Sequence, residues 1–364
     1  MGSVNIDNTG SGADVTLSSD GTDLLLDGTA IGGGGGGSPD LFAENYNGTS
    51  TLPSATGTNA FAIGVQSTSS APNSIAIGTG AYVTHQGGVG LGYSPTVTAN
   101  YGVAIGGNSV GAGAKVSGAG GVALGGSNTQ GSEAFSAVID NTTTSYGASG
   151  TSSIALGNLA KASSAYATAL GSGCVASGSY SIAMGLSCTA SAVKAISIGD
   201  ASTASKNNAV ALGNDAKSDI KGKFAYSGQA FISAGDAQTG TFVLLSATTD
   251  ATAEPMTTDG SSGSTDDQII LPNNSAYAFH GTIVARQQAS QGTASAAWKI
   301  EGLIRREGSA GTTVLVNSAT TVLDNTPSWG LALSADTTNG GLKVEATGAA
   351  STNIRWVATI HTSE

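Results

Sequence analysis

The 364-residue sequence contains 55 glycines, only 10% charged residues and 5% aromatic residues. This composition excludes an average globular enzyme and favours a repetitive β protein built from small residues. The formal charge of −11 disfavours nucleic acid or an anionic membrane as a partner held by bulk electrostatics. No segment approaches the roughly 18–20 consecutive apolar residues of a membrane helix, so we expect neither membrane insertion nor a nucleic-acid partner.

The N-terminal segment has neither the basic region nor the apolar core of a secretory signal. Residues 13–31 predict two short strands around Asp20-Gly21, a dipeptide favoured in hairpin turns. Because about thirty residues cannot build an independent core, this segment is either an extra strand pair on an assembly or a plug that docks onto a particle. The six glycines at 32–37 predict a flexible joint. Residues 1–37 are therefore interpreted as a docking segment with its linker.

A four-residue phrase of the form apolar, small, apolar, glycine recurs between residues 59 and 213. A short fixed period is the signature of a solenoid, in which each coil contacts its neighbours. The alternation has period two, so Ile154 and Leu156 face one side of a strand and Ala155 faces the other. The glycine ends each phrase where the chain must turn, and glycine adopts positive φ at little cost. The repeat-turn glycines, 14 residues apart within most of the array, are Gly64, Gly78, Gly92, Gly106, Gly125, Gly157, Gly171, Gly185, Gly199 and Gly213.

A second alternation of small residues follows the glycines, as in Ala160-Lys161-Ala162, and predicts a second strand in each coil. Ordering fourteen residues costs about 14–28 kcal/mol, whereas burying two aliphatic side chains returns about 3–6 kcal/mol. A single coil is therefore unstable, and stacking must supply the difference. Cys174 and Cys188 occupy one slot of adjacent coils, where strand spacing would allow a disulfide. Alanine and serine fill the same slot elsewhere, so we expect two free thiols.

The phrase and its 14-residue period resemble the head repeats of YadA-like trimeric adhesins. The resemblance implies a left-handed parallel β-roll with three chains side by side. We predict such a roll over residues 38–216, with eleven coils and a length of about 50 Å at the strand spacing. Members of that family carry a signal peptide, a coiled-coil stalk and a membrane barrel, and the sequence shows none of them. A bacteriophage virion protein assembles in the host cytoplasm and leaves by lysis, so it would need none of these segments.

Two insertions interrupt the repeat. The interval from Gly106 to Gly125 is 19 residues, and the interval from Gly125 to Gly157 is 32, where two regular coils would take 28. Residues 135–140 are interpreted as a degenerate coil without its glycine, and the polar run 141–146 as a loop. Because loops on a rigid scaffold often carry binding residues, Asn141 and Tyr146 are candidate receptor contacts. The alternative is that the insertions are merely tolerated.

After Gly213 the period ends, and residues 217–364 predict eight or more short strands typical of a β-sandwich, such as a jelly roll. All three tryptophans lie here, and a strand tryptophan in a sandwich is usually a core residue. Since aromatic side chains also bind sugars, Trp329 is a further candidate receptor contact. Three phrases, at 234–241, 334–340 and 354–359, resemble the C-terminal domain of phage structural proteins and tail fibres. The predicted strands are 241–245, 268–271, 278–286, 297–305, 313–316, 329–333, 342–345 and 354–360.

No catalytic, metal or cofactor motif emerges. The three histidines, His85, His280 and His361, have no second ligand at metal-binding spacing. Glycine-rich stretches are not followed by a helix, and no Ser-His-Asp or paired-carboxylate pattern rises above the background. We predict no enzyme activity and no cofactor. A hidden carboxylate pair of the kind used by polysaccharide-cleaving tail spikes is the open alternative.

The sequence thus predicts an all-β homotrimeric fibre: docking segment, left-handed parallel β-roll solenoid, then a C-terminal β-sandwich. The leading interpretation is a bacteriophage virion fibre, above all a tail fibre, that contacts other virion proteins through its N-terminal segment. It would bind a host cell-surface glycan or protein by avidity, with contacts sought in residues 107–121, 126–152 and the C-terminal region. The alternatives are a capsid decoration or head fibre without a receptor role, and the excised head of a bacterial trimeric autotransporter adhesin.

Overall fold

The computed structural model describes residues 4–6, 15–19, 24–26, 29–30, 51–107, 113–137 and 145–364. The chain divides into two compact units, Met1–Leu52 and Pro53–Glu364. In the described ranges the regular elements are β-strands, apart from one 3-10 turn at Ala310–Thr312. The all-β prediction is confirmed. Within the same ranges, no helix has the length and apolar character needed to cross a membrane.

The first unit contains an antiparallel meander of four short strands. Its second and third strands pair with Ser19 opposite Leu24, which confirms the predicted hairpin. The turn dipeptide Asp20-Gly21 and the glycine linker at 32–37 lie outside the described residues. The strands are β1 (Val4–Ile6), β2 (Val15–Ser19), β3 (Leu24–Leu26) and β4 (Thr29–Ala30).

The second unit begins as a parallel β-solenoid, as predicted from the repeat. Each coil contributes one strand to a short-strand sheet and one strand to a long-strand sheet. The short-strand sheet consists of β5 (Ser54–Ala55), β7 (Thr68–Ser69), β9 (Tyr82–Val83), β11 (Thr96–Val97), β13 (Lys115–Val116), β15 (Asn128–Thr129), β17 (Gly147–Ala148), β19 (Lys161–Ala162), β21 (Val175–Ala176), β23 (Thr189–Ala190), β25 (Thr203–Ala204) and β27 (Lys217–Ser218). The long-strand sheet consists of β6 (Phe61–Ile63), β8 (Ile75–Ile77), β10 (Val89–Leu91), β12 (Val103–Ile105), β14 (Val122–Leu124), β16 (Phe135–Ala137), β18 (Ile154–Leu156), β20 (Thr168–Ser172), β22 (Ile182–Leu186), β24 (Ile196–Asp200), β26 (Val210–Asn214) and β28 (Phe224–Ser227).

The repeat glycines stack on one another along the solenoid. All ten have φ between +68° and +132°, a region in which side chains with a Cβ are strained. A second reason for glycine is visible only in three dimensions. A Cβ built on Gly199 would lie 2.0 Å from the carbonyl oxygen of Gly213 in the next coil. Both the turn and the close stacking of coils therefore require glycine at this position.

Two coils depart from the glycine pattern. The segment predicted as a degenerate coil forms β16, which pairs in parallel with β14 and β18, so that prediction is confirmed. The predicted end of the repeat at Gly213 is wrong, because β28 adds a twelfth coil with Phe224 opposite Val210. Ser227 stands where glycine would be expected. It closes no further coil, and a positive φ is therefore not needed there.

The C-terminal region extends the long-strand sheet and adds a second sheet. In the first, β29 pairs antiparallel with β28, and the order continues β29-β37-β32-β33-β34. In the second, β36 is flanked by β30, β31 and β35. All eight predicted strands are present, most of them longer than predicted, and β30 was not predicted. The strands are β29 (Thr239–Thr248), β30 (Ala253–Pro255), β31 (Ile269–Ile270), β32 (Ser275–Gln287), β33 (Ser295–Arg306), β34 (Val314–Asp324), β35 (Gly330–Asp336), β36 (Gly341–Thr347) and β37 (Ile354–Ser363).

One apolar core lies between these two C-terminal sheets. Trp298 and Trp356 stack with ring centroids 5.4 Å apart, and Trp329 packs against Trp356 at 5.9 Å. The indole of Trp356 donates a hydrogen bond of 3.0 Å to the Thr248 hydroxyl, which satisfies its buried N–H. The contact of Trp329, which directly precedes β35, with Trp356 on β37 therefore links the two sheets.

A buried ion pair joins the last coil to the C-terminal region. The Lys223 Nζ lies 2.6 Å from Glu364 Oε2, and the two side chains are 1% and 0% exposed. Glu364 also accepts hydrogen bonds from the Gln238 amide and the Thr362 hydroxyl. These bonds satisfy the carboxylate where water cannot reach it.

Two different groups cover the strand edges at this end of the solenoid. The edge of β28 is covered by the backbone of β29. The edge of β27 is met by a side chain, because the Lys217 amide donates to Gln238 Oε1 at 2.9 Å and Gln238 Nε2 donates to the Lys217 carbonyl at 3.0 Å. The amide of Gln238 thus takes the place of one peptide group of a following strand.

Candidate functional site

The interior of the solenoid is filled by small residues. The middle residue of the phrase, such as Ala155, Ala169 or Ala183, is fully buried. Cys174 and Cys188 also point inward and are free thiols, as expected from the slot that they share with alanine and serine. Valine is the largest side chain of the apolar clusters buried between the two sheets. The larger members of each phrase must therefore point outward.

The outer face of the long-strand sheet is consequently apolar over its whole length. Its side chains are exposed or half-buried in the single chain, with Thr168 as the polar exception. Soluble monomers rarely leave so large a contiguous apolar surface in water. We call this surface the roll face. It consists of Phe61, Ile63, Ile75, Ile77, Val89, Leu91, Val103, Ile105, Val122, Leu124, Phe135, Ile154, Leu156, Thr168, Leu170, Ile182, Met184, Ile196, Ile198, Val210, Leu212, Phe224 and Tyr226.

The opposite face, formed by the short-strand sheet, is polar and contains a shallow groove of about 220 Å³. Hydroxyl, amide and ammonium groups of three neighbouring strands line it, together with Val116. Such groups can exchange hydrogen bonds with the hydroxyls of a saccharide. The polar lining residues are Thr96, Thr98, Lys115, Ser117, Asn128 and Gln130.

Lys115 is the only formally charged residue between Glu44 and Glu133. It lies at the middle strand of the groove and is exposed. No described acidic side chain lies within ion-pair distance of its ammonium group among the salt bridges of the described ranges. The groove therefore presents one isolated cation in otherwise uncharged surroundings.

Of the three receptor candidates predicted from the sequence, the structure describes two. Asn141 lies outside the described residues. Tyr146 is half-buried and packs against the alanine-lined interior of the solenoid. Trp329 is only 4% exposed, so it is a core residue and leaves no side-chain surface for a receptor. The groove was missed by sequence reasoning, although Lys115 and Asn128 fall within the two segments, 107–121 and 126–152, in which contacts were sought.

No metal centre is formed by the described part of the chain, where no three His, Cys, Asp or Glu side chains come together in a suitable cluster. His280 and His361 do meet across β32 and β37, with ring centroids 5.3 Å apart. Thr241 Oγ1 lies 3.1 Å from Nδ1 of His361. These two rings are on the outer face of the C-terminal sheet.

Comparison with known families identifies the repeats. A model of the YadA head domain repeat matches residues 55–81, 148–173 and 190–216. These segments are YadA head repeats, which confirms the resemblance seen in the sequence, and they make up less than a quarter of the chain. The other coils continue the same ladders without being matched.

Comparison with curated proteins gives no match. Among solved structures, the tailspike protein of Acinetobacter baumannii bacteriophage Fri1, a capsular polysaccharide depolymerase, aligns over 82% of this chain and 50% of its own, at 8% identity and a TM-score of 0.21. The tailspike protein of Acinetobacter baumannii phage AM24 aligns over 83% of this chain and 58% of its own, at 10% identity and a TM-score of 0.20. The chain thus spans about half the length of these proteins. Both TM-scores are too low to carry an argument about function.

Proposed function

We propose that the chain forms the homotrimeric attachment fibre of a bacteriophage particle, in which the roll face lies at the interface between the three copies. The observation that carries the proposal is the continuous apolar surface from Phe61 to Tyr226. Three copies that turn this surface toward one another would remove it from water. The YadA head repeats support the same arrangement, since their family forms trimers.

The polar sheet then faces outward on all three sides of the fibre, together with its groove. We propose that this groove contacts a glycan of the host surface, with Lys115 paired to an acidic sugar. Three weak sites per fibre, and several fibres per particle, would give tight attachment through avidity rather than through one strong contact. The N-terminal unit is proposed to hold the fibre on the particle.

Sedimentation equilibrium tests the trimer. We expect a species of three times the 35.2 kDa chain mass, and we expect Ile182→Lys/Ile196→Lys on the roll face to shift it toward monomer. The matched control, Thr189→Lys/Thr203→Lys, places the same charges on the polar sheet, where Lys161 and Lys217 already occupy the equivalent slot. A wild-type monomer at all concentrations, or a trimer that survives the roll-face lysines, would overturn the interface.

Immunogold electron microscopy of the source particle, with antibody against residues 217–364, tests the placement. Label at the tail tip is expected for an attachment fibre. Label spread over the capsid would make the same trimer a decoration protein. Absence of label from any virion would contradict a virion protein and favour a bacterial adhesin.

A further inference from the structure

The C-terminal sheet β29-β37-β32-β33-β34 buries one face in the core and leaves its other face open in the described unit. The cross-strand row of Leu245, Val357 and Val284 sits near the centre of that open face. These three side chains, with Val243 beside them, are 40–51% exposed. Aliphatic side chains aligned across three adjacent strands form one contiguous apolar patch, which is unusual on a surface that meets only water.

Strand β34, at the edge of the same sheet, is also uncovered. Ten of its eleven residues are exposed, and its partner in the described part of the chain is β33 alone. Val316 and Leu323 are among its exposed side chains. A long edge strand with apolar side chains is an aggregation hazard unless something covers it. The patch and the edge together indicate a surface that is buried in the working protein.

This open face is continuous with the roll face. Residues directly opposite in antiparallel strands lie on the same side of a sheet. The register leads from Val210 in the roll to Phe224, then to Thr241, His361 and His280. The roll face and the open C-terminal face are therefore the same side of a single hydrogen-bonded sheet. Whatever covers one has direct access to the other.

Charged side chains on the open face flank the apolar row. Arg286 and Arg355, directly opposite each other, lie two residues beyond Val284 and Val357, on the side away from the roll. Lys299 and Glu301 on β33 form an ion pair of 3.2 Å that stays more than half exposed. Nearer the roll, a separate cross-strand row contains Thr241 and the stacked His361 and His280. An apolar centre with a charged margin is the anatomy of an interface between protein subunits.

We propose that the open C-terminal face is covered by the second and third copies of this chain, so that one interface runs from the first coil through the row of Leu245, Val357 and Val284. The proposal rests on the trimer proposed above and adds the C-terminal half of its interface. The occupant is a second copy because the roll face leads directly into this patch. A receptor would instead be expected on a surface that remains open in the assembled fibre.

Hydroxyl-radical footprinting of the full-length chain, read by peptide mass spectrometry, separates the two halves of the interface. Met184 reports on the roll face, and Val284, Val357 and His280 report on the C-terminal face. Exposed Ile232, 94% accessible in the single chain, supplies the reactive reference. We expect Met184 and the three C-terminal reporters all to be protected, at least tenfold below the rate expected from their exposure relative to Ile232.

Protection of Met184 with reactive C-terminal reporters would overturn this inference and leave the trimer intact. A reactive Met184 would instead overturn the roll interface. Protection of the C-terminal reporters in chains that sediment as monomers would assign the open face to another part of the same chain, and would also overturn the inference.

A variant provides a second readout. Val284→Lys/Val357→Lys should restore the reactivity of His280 while Met184 stays protected, because only the C-terminal half of the interface is opened. Ala332→Lys, at the one exposed residue of β35 in the other sheet, is the control and should change neither reporter. Unchanged protection of His280 in the double variant would contradict the proposal.

Discussion

The ion pair between Lys223 and Glu364 should stabilise the junction between roll and C-terminal sheets only while both partners are present. Its atoms are 2.6 Å apart and both side chains are buried. Replacing Lys223 by Met keeps an unbranched side chain, one atom shorter, and removes the charge. The Glu364 carboxylate then remains buried with hydrogen bonds from Gln238 and Thr362 but without its cation.

Removing one partner of a buried ion pair lowers the free energy of unfolding by about 3–5 kcal/mol, because it leaves an uncompensated buried charge. At a urea m value of about 2 kcal/mol/M, the midpoint of unfolding should fall by about 1.5–2.5 M. Tryptophan fluorescence is the appropriate signal, since Trp298, Trp329 and Trp356 all lie in the core of the C-terminal region.

Two further variants separate the ion pair from a general effect of mutation. Lys223→Met/Glu364→Gln removes both charges and should recover much of the lost stability. Lys206→Met removes a lysine from the pair with Asp266, whose side chains are 36% and 41% exposed, and should cost less than about 1 kcal/mol. If Lys223→Met lowers the midpoint no more than Lys206→Met does, the reasoning about burial is refuted.

Three other outcomes follow from the geometry. Lys115→Ala should weaken adsorption to host cells at least tenfold, about 1.4 kcal/mol. The control Lys161→Ala changes the same slot of a coil outside the groove and should leave adsorption unchanged. Equal effects of the two variants would contradict a role of the groove in adsorption. Gly199→Ala should cost at least about 1–3 kcal/mol in thermal or chemical unfolding followed by circular dichroism. Gly125→Ala, where an added Cβ meets nothing within 4 Å, should cost less, and the reverse order would contradict the role of coil stacking. Burial, and then the neighbouring Glu364 carboxylate, raise the pKa of Tyr277 well above its usual range. Its neutral form is therefore favoured in the fold, so stability should be intact below about pH 10 and decline as the pH rises, and Tyr277→Phe should flatten that decline.

The solenoid could be predicted from sequence because its period is local. A fourteen-residue repeat with period-two alternation specifies strands, turns and parallel stacking without knowledge of distant contacts. The same pattern could not show which side of each strand is inside. Ile154 and Leu156 look like core residues, yet Ala155 occupies the interior, because alternation identifies the two sides of a strand but not which of them meets the other sheet.

The missed features depend on contacts between residues far apart in the chain. The twelfth coil was overlooked since Phe224-Ala225-Tyr226-Ser227 keeps the alternation but lacks the glycine. The groove gathers residues from three coils of unequal length, which the insertions obscure. The pairing of Lys223 with Glu364 spans 141 positions of sequence, and no local pattern identifies it. The strands of the C-terminal region were recognised from alternation, whereas their order in the sheets was not.

The covered edges of β27 and β28 determine how the solenoid ends. A solenoid whose last coil leaves free amide and carbonyl groups can template a further chain, and fibres could then grow end to end without limit. Here β29 occupies one ladder and the Gln238 amide occupies the other. Polymerisation from this terminus is therefore blocked by the fold itself. The number of coils in the solenoid is therefore fixed by the sequence of one chain, and not by addition of further chains at this end.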